Sequence, residues 1–158
     1  MRWLSFYRSS PDASSGPTYT QASFGYVVQT QDGAEGVVDV GMRSEYATLR
    51  EAIAAQALER LVAQCGDQAD VALDGLHFAP TITDPKKILC VGLNYKAHQE
   101  ETGRGGEGVP TVFVRFAAAQ MGHGEPMVRP RESASLDFEG EIAMIIGRGG
   151  RRIARKDA

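Results

Sequence analysis

The sequence predicts an α+β protein that is mostly β: a small N-terminal antiparallel sheet with one helix, then a strand-and-loop region. Three observations point there. Glycine is abundant, 18 of 158 residues, beside 7 prolines, which favours strands and loops over a helical bundle. Short apolar runs alternate with turn residues through the first forty positions. One early segment carries apolar residues at four-residue spacing behind a helix-start signal.

Residues 2–7 read as a strand, and Ser9–Ser23 as a loop with Pro11, Gly16 and Pro17. Phe24–Val28 is a second strand. Gln31-Asp32-Gly33-Ala34-Glu35-Gly36 supplies Asp-Gly turn chemistry, and Val37–Val40 returns. Thr48-Leu49-Arg50-Glu51 fits a capping box, in which Thr48 covers a free amide and Glu51 reaches back. Leu49, Ile53, Ala57 and Leu61 then form one stripe of a single helix, stopped by Gly66. Residues 1–75 make a leading unit without a catalytic constellation, and residues 76–158 a second. There, Ile88–Gly92 is a strand, Asn94–Thr102 a short helix, Gly103–Gly108 a loop and Val112–Val114 a strand. Ile142–Ile146 reads as a strongly buried strand.

Composition excludes several classes. Hydrophobic residues are 42% and charged residues 23%, as in ordinary globular chains. Lys plus Arg is 17 against 20 Asp plus Glu, a net charge of −3, so the chain is no general nucleic-acid binder. No apolar run is long enough to span a bilayer. Met1–Arg8 is interrupted by charge too early for a secretory signal. Cys65 and Cys90 lie far apart without a metal-ligand pattern and read as free thiols of a cytoplasmic protein, Cys90 as a buried small hydrophobe. His77 reads as a linker residue and His123 as a structural loop histidine. The basic run Arg148–Lys156 reads as a solvated edge or a subunit contact.

Two clusters carry chemistry. In Asp137-Phe138-Glu139-Gly140-Glu141, alternate residues of a strand share a face about 6.5–7 Å apart, so Glu139 and Glu141 present paired carboxylates. Such a pair repels itself unless a cation neutralises it, and oxygen donors suit Mg²⁺ or Mn²⁺. The same spacing equally describes an edge strand with a solvated acidic face. In Asn94-Tyr95-Lys96-Ala97-His98-Gln99-Glu100-Glu101, His98 and Glu101 are neighbours on one helical face. A carboxylate beside an imidazole orients it for acid–base work, although an exposed helix with a surface histidine looks the same. Gly103–Gly108 matches GxGxxG literally, but it follows a helix and runs into Pro110, which is the wrong context for a dinucleotide fingerprint.

Taken in order, Ile88–Tyr95, His98, Glu101, Pro110–Arg115 and Leu136–Arg148 resemble the fumarylacetoacetate hydrolase family, specifically the N-terminal portion of a bacterial member. The resemblance is close from about Pro80 onward. It implies the family's mixed β-roll-like barrel, incomplete in this chain, and a homodimer. It implies Mg²⁺ or Mn²⁺ held by a Glu-x-Glu pair, matched by Glu139 and Glu141, and a later Asp expected beyond Ala158. It implies a His-Glu dyad on a short helix, matched by His98 and Glu101.

The implied substrate is an acylpyruvate-type 2-oxo acid. His98, oriented by Glu101, would activate water to attack a remote carbonyl, and the C–C bond would break as an enolate departs. Arg115 is the candidate partner of a substrate carboxylate, with Tyr95 and Asn94 shaping the pocket. Two other readings stand beside this one: a truncated, inactive assembly module, and a decarboxylase or isomerase on the same scaffold. Half a barrel would also leave open sheet edges and uncovered apolar strands.

Overall fold

The computed structural model describes residues 1–8, 21–103, 109–138 and 140–158. It is α+β with antiparallel sheets and short helices, as the sequence predicts. The described chain divides into two units, Met1–Thr83 with Met121–Ala158, and Asp84–Gln120.

The first unit is built on strands β1 (Trp3–Tyr7), β2 (Ala22–Gln29) and β3 (Glu35–Asp39), helices α1 (Val40–Arg43), α2 (Leu49–Ala54) and α3 (Leu58–Cys65), and short strands β4 (Val71–Ala72) and β5 (His77–Phe78). The five strands form one sheet in the order β4-β3-β2-β1-β5, with every neighbour antiparallel. Gly33, at φ +83°, takes the left-handed conformation of the β2–β3 turn.

Alternation sends side chains to both faces. Phe24, Tyr26 and Val38 pack with Leu49, Ala52, Ala57 and Leu61, so the helices cover one face. Leu4, Phe6 and Val37 point the other way, under Leu73, Leu76 and Phe78. Trp3 caps the helix-side core, edge-on to Tyr26 at 5.0 Å. A polar knot joins β1, β2, β3 and α1. The buried Asp39 carboxylate accepts from Arg8 Nε at 2.8 Å and Nη2 at 3.0 Å, from the Ser23 hydroxyl and from the Met42 amide at 3.1 Å. The Asp39 amide in turn donates to Asp70 Oδ2 at 2.7 Å.

Three expectations need correction here. The single helix behind Thr48 is two helices. Ala55 and Gln56 close its first part with bonds to Glu51 and Ile53 carbonyls, and Gln56 turns to φ +54°. Ala57, Leu61 and Cys65 then re-enter the core four residues apart. Packing of both short helices on one curved core outweighs continuity of the backbone ladder. Second, His77 is no linker residue: it lies in β5 opposite Tyr7, and its Nε2 meets Glu125 Oε1 at 2.8 Å. Third, Ile142–Ile146 is neither a strand nor buried, with Ile142 80% and Met144 84% exposed. An apolar strand needs a ladder partner and a covered face, and no strand is formed beside it among the described residues.

The second unit is an antiparallel hairpin of β6 (Ile88–Gly92) and β7 (Thr111–Arg115), with α4 (Lys96–Thr102) between them. Its β7 residues are all exposed, and β6 alternates between half-buried and exposed. Cys90 is accordingly half-buried and not enclosed, because a two-stranded ladder cannot cover both faces. The predicted loops at Ser9–Ser23 and Gly103–Gly108 fall largely outside the described residues. Among the described residues no helix is long and apolar enough to cross a membrane.

Candidate active site

Strand β6 ends at Gly92, the chain turns at Leu93, and α4 begins at Lys96 with Tyr95 as its N-cap. This short connection places Asn94, Tyr95, His98 and Glu101 along one turn and helix. His98 and Glu101, three apart, meet across the helix surface, Nδ1 to Oε2 at 3.6 Å. That spacing is an ion-pair contact and too long for a hydrogen bond. Catalytic hydrogen bonds commonly tighten only once substrate is bound. His98 is less exposed than Glu101, 44% against 80% at the side chain.

The end of α4 is closed locally. Gly103, at φ +64°, supplies the left-handed cap, and the Thr102 hydroxyl donates to the His98 carbonyl at 2.9 Å. Lys96 and Glu100 form an exposed pair at 3.8 Å. At the start, Gln99 reaches back to donate from Nε2 to the Leu93 carbonyl at 2.5 Å. Sequence reasoning passed over Gln99, since its partner is six residues away and off the helical face. The signal available was Leu93 itself, a non-glycine residue at a tight strand-to-helix turn.

Arg115 lies elsewhere on the hairpin. It pairs with Ile88, whereas Gly92, which leads into α4, pairs with Thr111. Four residues of strand separate the two ends, about 13 Å. The Arg115 guanidinium donates to the Ala119 carbonyl at 3.4 Å.

Of the two carboxylates expected to hold a metal, Glu139 lies outside the described residues. Glu141 is exposed on a stretch that is not assigned to a strand. Among the described residues no group of three or more His, Cys, Asp or Glu side chains gathers at one point. The donor chemistry of the pair, carboxylate oxygen alone, still fits a hard divalent ion such as Mg²⁺ or Mn²⁺.

Outside this region, His77 Nε2 and Glu125 Oε1 form a half-buried pair. Glu125 Oε2 also accepts from the Gly122 amide at 2.8 Å. The His77 contact first, then this amide, hold the Glu125 carboxyl below the usual carboxylate range. His123 stacks edge-on against Phe78 at 5.5 Å. These contacts fasten residues 121–125 to the β5 edge.

Comparison with known proteins bears on the same region. Residues 87–158 match the family model of the fumarylacetoacetate hydrolase C-terminal domain. The mitochondrial oxaloacetate tautomerase fahd2 of Xenopus laevis is 39% identical over 77 residues, which is 49% of this chain and 24% of that protein. The human mitochondrial oxaloacetate tautomerase FAHD2A is 36% identical over 81 residues, 51% of this chain and 26% of that protein. An uncharacterized protein of Archaeoglobus fulgidus is 34% identical over 92 residues, 58% of this chain and 36% of that protein. The chain thus spans about a quarter of the length of the tautomerases it matches. No solved structure matches it. The segment that runs from β6 through α4 and β7 to the end of the chain is thus the part that is similar to the fumarylacetoacetate hydrolase C-terminal domain.

Proposed function

We propose that this chain carries the acid–base portion of a divalent-metal-dependent enzyme acting on a 2-oxo acid, with keto–enol tautomerisation of an oxaloacetate-like substrate as its reaction. The observation that carries the reading is the His98–Glu101 pair at 3.6 Å on the helix that follows β6. The names of the Xenopus and human relatives support the choice of reaction.

Tautomerisation asks for proton transfer alone. Once the contact with Glu101 tightens to a hydrogen bond, Nδ1 carries the proton and Nε2 offers its lone pair as base. Nε2 takes a proton from C3 of the keto acid. The C–H electron pair becomes the C2–C3 double bond, and the C2 carbonyl pair moves onto oxygen. Nε2–H, or water, returns a proton to that oxygen, giving the enol. Glu101 stabilises the transient imidazolium. Asn94 and Tyr95 border the dyad and limit the room beside it. For Arg115 to hold a substrate carboxylate, its side chain must reach back along the hairpin toward α4.

Glu139 and Glu141 are the residues that would hold Mg²⁺ or Mn²⁺. Such an ion would polarise the substrate's 2-oxo carboxylate end. A homodimer in an aqueous, reducing compartment such as the cytoplasm completes the proposal, consistent with free Cys65 and Cys90.

A second reading is C–C hydrolysis of an acylpyruvate, in which the same Nε2 activates water. The family model's description favours it. Decay of enol absorbance with oxaloacetate, and of diketone absorbance with an acylpyruvate, separates the two in the presence of Mg²⁺. His98→Ala and Glu139→Ala are each expected to lower turnover at least about 100-fold. Activity retained in both would refute the assignment of roles.

A further inference from the structure

We propose that Gln99 is a positioning residue for the His98–Glu101 pair, acting through the carbonyl of Leu93. The proposal rests on the reading of that pair as the proton-transfer dyad.

A helix is ordinarily held by a buried apolar face and by its caps. Helix α4 has neither of these at its start. None of its residues is buried, and Tyr95 makes no side-chain capping bond. Its direction relative to β6 depends on the connection Leu93–Tyr95. That connection contains Leu93 at φ +53°, in the left-handed region. There the Cβ of leucine crowds its own carbonyl, and the conformation persists only where neighbouring groups over-determine it.

Gln99 ties this connection to the first turn of the helix. Its backbone amide donates to the Tyr95 carbonyl at 3.0 Å, completing the first turn of α4. Its side-chain amide donates to the Leu93 carbonyl at 2.5 Å, spanning six residues. Side chains in helices lean toward the N-terminus, so a glutamine one turn in is placed to reach this carbonyl. Leu93, His98 and Gln99 are all half-buried, while the adjoining Asn94–Ala97 and Glu100–Thr102 are exposed. The bond is thus partly shielded from competing water. Gln99 touches no reacting atom in this scheme. It fixes the angle at which α4 leaves β6, and so the direction of His98 Nε2.

The test uses the full chain with Gln99→Ala and Gln99→Glu. Hydrogen exchange over residues 93–103 reads the restraint, and kcat and KM on the enol of oxaloacetate read its effect. Gln99→Ala is expected to speed exchange in this segment about tenfold. It should lower kcat about tenfold with KM within about twofold, since misdirection of a base spares binding. Trp3 fluorescence, which reports the first unit, should not change.

Gln99→Glu distinguishes this bond from generic helix stability. A carboxylate cannot donate to a carbonyl, so exchange should be fast at neutral pH. It should slow toward the wild-type value in acid, after correction for intrinsic rates, once the carboxyl is protonated; Gln99→Ala should show no such recovery. Unchanged exchange and unchanged kcat in Gln99→Ala would overturn the proposal, as would full protection of Gln99→Glu at neutral pH. If His98→Ala keeps its activity while Gln99→Ala loosens α4, the dyad reading fails and the tie to Leu93 stands. If His98→Ala is inactive and Gln99→Ala turns over normally, the positioning role alone is wrong.

Discussion

Asp39→Ala removes the centre of the polar knot in the first unit, and its cost can be worked from the contacts. The Asp39 side chain is 2% exposed and faces Arg8, 35% exposed, through two hydrogen bonds of 2.8 and 3.0 Å. Removing one member of a buried pair costs about 3–5 kcal/mol. Arg8 stands a third in water and can rehydrate, which brings this part down to about 2 kcal/mol. The Ser23 hydroxyl and the Met42 amide also lose their acceptor, at about 1 kcal/mol each. One carboxylate serves all of them, so the losses overlap, and the expected total is about 3–4 kcal/mol. Urea unfolding followed by Trp3 fluorescence measures it, since Trp3 packs against Tyr26 in the neighbouring core. The slope should be unchanged and the midpoint lowered, with Tm falling by about 10–20 °C. Asp39→Asn keeps an acceptor for Met42 and should lose about half as much. A loss below about 1 kcal/mol for Asp39→Ala would show that the four elements are not joined through this carboxylate.

Two further outcomes concern the segment fastened to β5. Glu125 is held below the usual carboxylate range by His77 and the Gly122 amide. Its folded form therefore binds a proton less readily than its unfolded form. The stability it contributes is present above the ordinary carboxylate range and is lost as pH falls through its lowered value. Urea midpoints measured across that acidic interval should change less steeply in Glu125→Gln than in the wild type; identical slopes would remove the coupling. Gly122→Ala places a Cβ against the Phe78 carbonyl, where backbone cannot give way. It should cost about 1–3 kcal/mol and expose residues 121–125 to limited proteolysis, whereas an unchanged digestion pattern would contradict the contact.

What the sequence made legible was local. Thr48 and Glu51 announce a helix start, and the Thr48 hydroxyl does accept from the Glu51 amide at 3.3 Å. Glu51 reaches back as expected, although to the Ala47 amide at 2.9 Å. His98 and Glu101 meet because three-residue spacing on a helix decides it. The hairpin of β6 and β7 follows from its apolar residues. The break at Ala55–Ala57 was hidden, since Ala-Gln-Ala contains no breaker and the kink answers to packing of α2 and α3. His77 and Glu125, 48 positions apart, share no pattern that a reading along the chain can detect. The stretch Ile142–Ile146 misled for a related reason: apolar β-branched residues report a wish to be covered, and cannot report whether a cover is there.

That uncovered stretch has a practical consequence for handling the protein. Ile142, Met144, Ile145 and Ile146 stand in water between Glu141 and Arg148. Short β-prone stretches of this kind seed clumping unless charges flank them, and Glu141 and Arg148 are the charges that flank this one. High salt, which screens both charges, is the storage condition most apt to cloud a concentrated sample.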